Sequence, residues 1–465
     1  MTILRWPPLM IGGGTILGAL AACSPGGFFI LLSAALLSIF LWRKGGPQDR
    51  RFLATLFLSG FLLRVALSAG LDLLAWQLRG EPPFSLSPSP QGGTIAMDAS
   101  RSALRMFDSD DYSERGHAMA EFARGRANPI HMAYLGNRYG WNAYLYAIGG
   151  FYYLFGFSPV SVKWINALLG ALLGPAVFLL GRACFRSLGT ARCAALLTAF
   201  FPSLVLWSLS NMKEPLLTLV TLLLLLLLSR LSLEKRRGRA LGYGAGAVTL
   251  LLLHASLRFP VYTLALAASW GMAAWIRARQ PRVQRALILL ALLAGAWVAR
   301  PVLHRWLVGA FLSHARFLEA QGNGYRILPD PYYTEEGRLR MSRGDMDLSP
   351  GNLLAWSGKA LFHYLGEPLP RRMDNPMNLL FYPQMVVWYC MLGFALWGAF
   401  CGLLWFRERA LFLILCLTAW LIIGALTNGN VGTAFRFRDM LSPLILLLGC
   451  FGAGLFLRGA EEERG

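Results

Sequence analysis

Residues 214–232 read EPLLTLVTLLLLLLLSRLS, an almost unbroken apolar run between Glu214 and Arg230. A helix of about 20 apolar residues is long enough to cross a lipid bilayer. Several other runs in this chain of 465 residues approach that length, and the composition is 56% hydrophobic and only 15% charged. A soluble multidomain protein of this size would not contain so many such runs. The sequence therefore predicts an all-α polytopic membrane protein.

The apolar runs are numerous enough for about 11–12 transmembrane helices. The first run, residues 9–42, is broken at 23–27 and suits a tight helical hairpin. Residues 140–156 are apolar but rich in aromatic side chains and broken by glycines. We expect them to form a juxtamembrane or re-entrant segment on the outer side of the membrane, because every basic linker then faces the cytoplasm. The remaining predicted spans are 52–76, 161–181, 190–207, 214–232, 240–256, 259–276, 286–303, 379–405, 410–427 and 440–457.

The distribution of the net charge of +20 argues against a nucleic-acid partner. Much of the basic excess lies in short linkers between apolar runs, which is the positive-inside pattern of multi-pass membrane proteins. We therefore predict a multi-pass protein of the cell membrane, the inner or cytoplasmic one. The basic linkers contain Arg43/Lys44/Arg50/Arg51, Arg182/Arg186/Arg192, Lys235/Arg236/Arg237/Arg239, Arg277/Arg279/Arg282/Arg285 and Arg407/Arg409.

Two long stretches, 77–160 and 304–378, are predicted as large extracytoplasmic loops. The first is polar over residues 77–139, which is too long for a simple connection. The second contains a predicted amphipathic helix at 352–365. The predicted domains are an N-terminal hairpin with its basic linker (1–51), a transmembrane core that includes the first loop (52–310), a second loop (311–378) and C-terminal transmembrane helices (379–465).

The first loop places three carboxylates, those of Asp108, Asp110 and Asp111, directly before Tyr112. Such a carboxylate can act as a general base towards a hydroxyl group. If Ser109 caps the helix that follows, Asp110 and Asp111 lie in its first turn, where acids complement the helix dipole without any catalytic role. Asp108 would then fall before the cap, which leaves it less easily explained by the helix.

A second group of polar residues, Asn211, Lys213 and Glu214, lies just before the apolar run 216–228. Pro215 and Glu214 both suit the first turn of a helix, so a structural explanation is available. Yet Lys213 and Glu214 are predicted on the same side of the membrane as Asp108. The sequence therefore allows either a functional or a purely structural role for Lys213 and Glu214.

Four arginines are predicted on the outer side, against the charge rule: Arg138, Arg258, Arg436 and Arg438. A guanidinium group matches the oxygens of a lipid phosphate. The alternatives for Arg436 and Arg438 are a pair with Asp439 or snorkelling at the interface.

Arg64 and Asp72 lie eight residues apart in the predicted span 52–76, on about the same face but two turns apart. Charges inside a membrane are candidates for function, although Asp72 can also lie at the interface. The seven cysteines form neither a disulfide framework nor a Cys/His metal pattern. His254 and His363 are predicted as polar residues of the interface. We predict no cofactor and no metal ligand, and leave a divalent metal requirement open.

Together these motifs resemble the GT-C glycosyltransferases that use polyprenyl-phosphate sugars. The closest resemblance is to glycosyltransferase family 39 and its aminoarabinose-transferase and protein mannosyltransferase relatives. The resemblance covers residues 52–232 and loosely the last span, but not the loop 304–378. The matching motifs are Asp108-Ser109-Asp110-Asp111-Tyr112, Arg138-Tyr139 with Tyr153-Leu154-Phe155-Gly156, Asn211-Met212-Lys213-Glu214-Pro215, and Arg436-Phe437-Arg438 with Ser442-Pro443-Leu444.

The resemblance implies a GT-C-like helical bundle and an inverting sugar transfer. Asp108, four residues before Tyr112, matches the aspartate that activates the acceptor in that family. Arg138 falls where relatives place a basic residue that contacts the lipid phosphate, and Glu214 falls where they carry a second acid, commonly Asp. The predicted site residues are Asp108, Asp110, Asp111 and Glu214 for catalysis, Arg138, Lys213, Arg258, Arg436 and Arg438 for the lipid phosphate, and Tyr112 and Tyr139 for substrate contact.

The partners expected from the resemblance are a polyprenyl-phosphate-linked sugar donor, a glycan, lipid or protein acceptor, and membrane lipids, with the active site facing the periplasm or exterior. Two alternatives stay open. A polysaccharide polymerase or ligase would require a lipid-diphosphate-linked oligosaccharide instead. A lipid or sugar transporter would place its charged residues along a path through the membrane midplane.

Overall fold

The structure is a computed structural model that describes residues 24–44, 46, 48–79, 107–135, 142–232, 234, 236–257, 260–277, 304–312, 314, 324–329, 347–369 and 382–462. It is 86% helical and has no strand in this described part, which confirms the all-α prediction. Residues 304–312 are also helical. The main helices are α1 (Pro25–Lys44), α2 (Arg50–Arg79), α3 (Phe107–Ala123), α4 (Pro129–Leu135), α5 (Ala143–Phe155), α6 (Pro159–Phe185), α7 (Leu188–Phe200), α8 (Pro202–Trp207), α9 (Glu214–Leu231), α10 (Arg237–Leu257), α11 (Pro260–Arg277), α12 (Pro350–Gly366), α13 (Tyr382–Trp405), α14 (Arg407–Thr427), α15 (Val431–Asp439) and α16 (Ser442–Glu462).

The described residues contain seven helices that are long and apolar enough to cross a membrane, which confirms a polytopic membrane protein. An eighth span results if α15 and the start of α16, which meet at 62°, form one broken span. The predicted span 286–303 and the first half of the hairpin 9–42 lie largely outside the described residues. The seven are Pro25–Arg43, Arg50–Leu73, Pro159–Phe185, Glu214–Leu231, Arg237–Leu257, Tyr382–Trp405 and Ala410–Thr427.

The predicted span 190–207 is two helices rather than one. The helix α7 ends at Phe200 and α8 begins at Pro202, with Phe201 in an extended conformation (φ −64°, ψ 118°). Proline disfavours the helical conformation in the residue before it and lacks a backbone N–H for the helical ladder. The apolar run alone did not reveal this break.

The chain forms two compact units, and the first comprises Met1–Leu180, Ala191–Leu226 and Ala245–Arg258. In this unit α3 packs against α4 and α5, and α1 packs against α2 and α5. The backbones of α3 and α5 approach closely at Gly116, where an added Cβ would lie 3.1 Å from the Cβ atom of Ile148. Further along α3, Arg124 donates to the Tyr152 and Tyr153 carbonyls (2.8 and 2.7 Å). The last turn of α5 thereby receives donors for two of its carbonyl groups.

The second unit comprises Gly181–Thr190, Leu227–Gly244 and Phe259–Gly465. Its helices α13 and α16 pack along each other, and an added Cβ at Gly398 would overlap the Leu448 carbonyl. Small residues at such contacts let membrane helices approach closely. In the same unit α11 packs against α14, and α12 packs against α14 and α15. The predicted helix 352–365 is therefore present as α12, slightly longer at both ends.

Candidate functional site

The helix α3 carries the predicted catalytic carboxylates in its first turn. It begins at Phe107, so Asp108 lies inside the first turn and not before the cap as expected. Ser109 does not cap the helix, because its hydroxyl accepts a hydrogen bond from a distant residue instead. The helix dipole is therefore a sufficient structural reason for Asp108 as well as for Asp110.

Asn211 ties this first turn to the segment before α9. Its backbone N–H donates to Ser109 Oγ (2.9 Å) and its side-chain Nδ2 donates to Ser113 Oγ (2.5 Å). The Ser113 hydroxyl donates in turn to the Ser109 carbonyl (3.1 Å). All three side chains are buried. The backbone of Asp108 is thereby held next to the segment that continues into Lys213 and Glu214.

Asn166 of α6 holds the same segment from the other side. Its side-chain Nδ2 donates to the carbonyls of Ser210 (2.6 Å) and Met212 (2.8 Å) and to the Tyr144 hydroxyl (2.8 Å). Asn166 is fully buried. Because an unmade bond to a buried carbonyl is costly, this one amide fixes the course of the segment before α9.

The tyrosine Tyr112, predicted to contact substrate, lies in the core beside this network. Its ring meets that of Tyr144 edge to face, with centroids 5.4 Å apart. Burial raises the pKa of Tyr144 well above its ordinary value, and the nearby Glu214 acts in the same direction. Tyr144 is therefore a neutral hydrogen-bonding group, and Tyr112 is only 1% exposed.

Glu214 is the first residue of α9, as the sequence predicted. Its side chain is buried, whereas that of the preceding Lys213 is half-buried. In α3, Asp111 forms an ion pair with Arg115 one turn later, whose Nε donates to both carboxylate oxygens (3.1 and 3.0 Å). The carboxylate of Asp111 is therefore already engaged inside its own helix.

Arg64 and Asp72, which share a predicted span, have separate partners. Asp72 pairs with Lys163 of α6 at 2.5 Å. Arg64 is fully buried, and its Nε donates to Ser208 Oγ (2.8 Å) while Nη1 donates to the Gly60 carbonyl (3.0 Å). Arg64 thus supports the start of the segment 208–213 from inside the span, a link that the sequence did not reveal.

Arg438, in the second unit, is fully buried. Its Nη1 donates to the carbonyls of Leu365 (2.9 Å) and Glu367 (2.6 Å), and its guanidinium lies over the Trp388 ring at 4.6 Å. These contacts give Arg438 a structural role at the end of α12. Arg436 is half-buried, with its guanidinium 5.9 Å from the Phe437 ring.

Arg138, Tyr139 and Arg258 lie outside the described residues, so their predicted roles stay predictions. The structure describes only the backbone of Asp108 and Asp110, which lies in α3, and not their side chains. Within the described residues, no group of three or more His, Cys, Asp or Glu side chains could hold a metal ion.

A cluster around His363 was missed by the sequence analysis, which treated that histidine as a polar interface residue. His363 Nδ1 lies 2.9 Å from Glu367 Oε1, and the Tyr325 ring stacks on the imidazole at 4.6 Å. His314 also contacts this tyrosine, edge to face, with ring centroids 5.0 Å apart. The spacing of four residues between His363 and Glu367 could have indicated the first contact, but nothing in the sequence indicated the other two.

In a comparison with known families, residues 143–304 match the family described as dolichyl-phosphate-mannose-protein mannosyltransferase. No curated protein and no solved structure matches the chain. The matched stretch contains Tyr144, Asn166, Asn211 and Glu214, and it begins after the carboxylates of α3. This similarity confirms the resemblance to GT-C glycosyltransferases drawn from the motifs, and it supports a membrane glycosyltransferase of that general type.

Proposed function

We propose that this protein is an inverting glycosyltransferase that moves a sugar from a polyprenyl-phosphate-linked donor to an acceptor on the extracytoplasmic side of the membrane. The observation that carries the proposal is the pair of hydrogen bonds from Asn211 to Ser109 and Ser113. They hold the turn that contains Asp108 against the residues that lead into Lys213 and Glu214. A general base and a cation for the donor phosphate are the two groups that this reaction requires.

In the proposed reaction the Asp108 carboxylate accepts the proton of the acceptor hydroxyl. The acceptor oxygen forms a bond to the anomeric carbon on the face opposite the lipid phosphate. The bond between that carbon and the phosphate oxygen breaks, and its electron pair stays on the phosphate. The products are the inverted glycoside, the polyprenyl phosphate and a protonated Asp108.

Asp108 is preferred to Asp111 as the base because the Asp111 carboxylate is held by Arg115. Asp110 and Glu214 stay in the proposal as the other acids of the site. Either could orient the acceptor, and Glu214 is fixed at the start of α9.

The negative charge that develops on the departing phosphate needs preorganised cations. Lys213 is the candidate within the described part of the first unit, and Arg138 and Arg258 are further candidates from the sequence alone. Arg436 and Arg438 stay candidates from the sequence alone, and Arg438 already donates to two carbonyl groups. Removal of one such donor typically lowers the rate by roughly 10²–10³-fold.

The test is the transfer of radiolabelled sugar from a panel of polyprenyl-phosphate monosaccharides in membrane vesicles. We expect transfer by the wild type, loss with Asp108→Asn, and full activity with Glu234→Gln, which changes a carboxylate in the linker after α9. Full activity of Asp108→Asn would exclude Asp108 as the base. Turnover of lipid-diphosphate oligosaccharides only would indicate a polymerase or ligase, and labelled uptake without covalent product would indicate a transporter.

A further inference from the structure

The C-terminal end of α12 has carbonyl groups that accept hydrogen bonds from side chains of other helices. Trp388 Nε1 donates to the Leu365 carbonyl (2.8 Å), and the Tyr389 hydroxyl donates to the Gly366 carbonyl (2.7 Å). Arg438 Nη1 donates to the carbonyls of Leu365 and Glu367 (2.9 and 2.6 Å). A helix that ends in water can leave its last carbonyls to solvent, whereas one that ends in hydrocarbon must satisfy them from protein. The carbonyl groups of Leu365, Gly366 and Glu367 therefore do not depend on water for a donor.

Two of the three partners of this helix end, Trp388 and Tyr389, lie in a candidate membrane-spanning helix. Trp388 and Tyr389 belong to the candidate span Tyr382–Trp405, and at 1.5 Å per residue they lie about 9–11 Å along the axis from its first residue. Tyr364 of α12 packs against Gly424 in the span Ala410–Thr427, so closely that an added Cβ would lie 2.5 Å from the tyrosine hydroxyl. The end of α12 thus lies inside the length of two spans.

The outward face of α12 carries an exposed apolar row. Leu354 is 78% exposed and Phe362 is 62% exposed, with the exposed Gly358 between them at the i, i+4, i+8 spacing of one helix face. On α13, directly before Trp388, Val386 and Val387 are also exposed (49% and 40%). Both α12 and the start of α13 therefore expose apolar side chains in helices that are joined by the bond from Trp388 to the Leu365 carbonyl.

We propose that α12 is a re-entrant helix whose C-terminal end lies within the bilayer and whose row Leu354–Gly358–Phe362 contacts lipid hydrocarbon. It enters from the side of the membrane at which α13 begins. The adjacent Lys359 is also exposed, and a lysine at that position can reach the headgroups with its ammonium group while its methylene stem lies in the apolar region. The buried partners of the opposite face are Trp356, Ala360 and Tyr364 in the core of the second unit.

The test measures the surroundings of a fluorescent probe attached to single cysteines of the full chain in liposomes. The exposed Cys193 and Cys390 are first replaced by serine, and the other five native cysteines are replaced by alanine. Phe362→Cys is then compared with Val386→Cys, which faces outward on the spanning helix, and with Asp347→Cys, which is exposed before α12. Doxyl-labelled phosphatidylcholine quenches probes in hydrocarbon, and iodide quenches probes in water.

We expect the probe at Phe362 to match the one at Val386, with strong quenching by the doxyl lipid and several-fold weaker quenching by iodide than at Asp347. Iodide quenching equal to that at Asp347 would overturn the proposal. Shielding from both quenchers would also overturn it, because protein would then cover the row. If Phe362→Cys does not yield folded protein, Gly358→Cys on the same row has the same expected and contrary results.

Discussion

Gly116 tests whether α3 must lie directly against α5. In Gly116→Ala the new Cβ would lie 3.1 Å from Ile148 Cβ and 3.4 Å from the Gly149 nitrogen, and closer still to Ile148 Cγ2. Overpacking of this kind costs about 1–3 kcal/mol, while alanine regains about 1 kcal/mol of helix propensity over glycine. We therefore expect the free energy of unfolding to fall by about 0–2 kcal/mol.

Gly150→Ala is the matched control, because Gly150 is exposed on α5 and an added Cβ would meet nothing within 4 Å. It gains the same helix propensity without a clash. The difference between the two variants isolates the clash and is expected to be about 1–3 kcal/mol. Chemical or thermal unfolding of the detergent-solubilised variants measures it.

The same substitution tests the proposed site, because α3 carries Asp108. A displacement of about 1 Å at a reacting group can lower the rate by roughly 10²-fold. We expect Gly116→Ala to lose transfer activity and Gly150→Ala to keep it. Adding Ile148→Leu, which removes the β-branched methyl group, should restore part of the loss. Equal stability and activity of the two alanine variants would refute the reasoning that α3 and α5 depend on this close approach.

Two further predictions concern single buried side chains. Asn166→Leu removes the side-chain donor of the Met212 carbonyl, whereas the Ser210 carbonyl keeps its bond from the Met212 N–H (2.9 Å), so we expect a loss of about 1–3 kcal/mol in unfolding experiments. Asn166→Asp should be worse because its charge faces the same oxygens. Burial lowers the pKa of His314 to about 3, and the nearby His363 acts in the same direction. The stability that the neutral, buried His314 contributes is therefore present above about pH 6.5 and is lost as the pH falls towards 3. His314→Gln should flatten that part of the curve of unfolding temperature against pH, and an unchanged curve would exclude His314 as its source.

Local features of the chain were predictable because their causes are local. The start of α9 at Glu214 follows from an acid and a proline before a long apolar run, and the structure has it there. The extent of α12 was predicted to within two residues at each end from its amphipathic pattern. The break before Pro202 has a local signal too, but the length of the apolar run concealed it.

Partners distant in the chain were not predictable. Ser109 looked like a helix cap, yet its hydroxyl accepts from Asn211, which is 102 residues away. Arg438 resembled a phosphate ligand, yet it completes the end of α12, 71–73 residues earlier. Each residue type suits both roles, and sequence spacing does not distinguish them.

The sequence by itself determined that this protein is helical, crosses the membrane several times and resembles GT-C glycosyltransferases. The physical reason is that apolar length and the placement of charges are properties of each segment alone. Only the tertiary structure decided that Asn211 and Asn166 hold the segment before α9 to α3 and α6, and that the end of α12 is completed by α13 and α15. Those contacts arise because buried polar groups must find partners, and the fold determines which partners lie within reach.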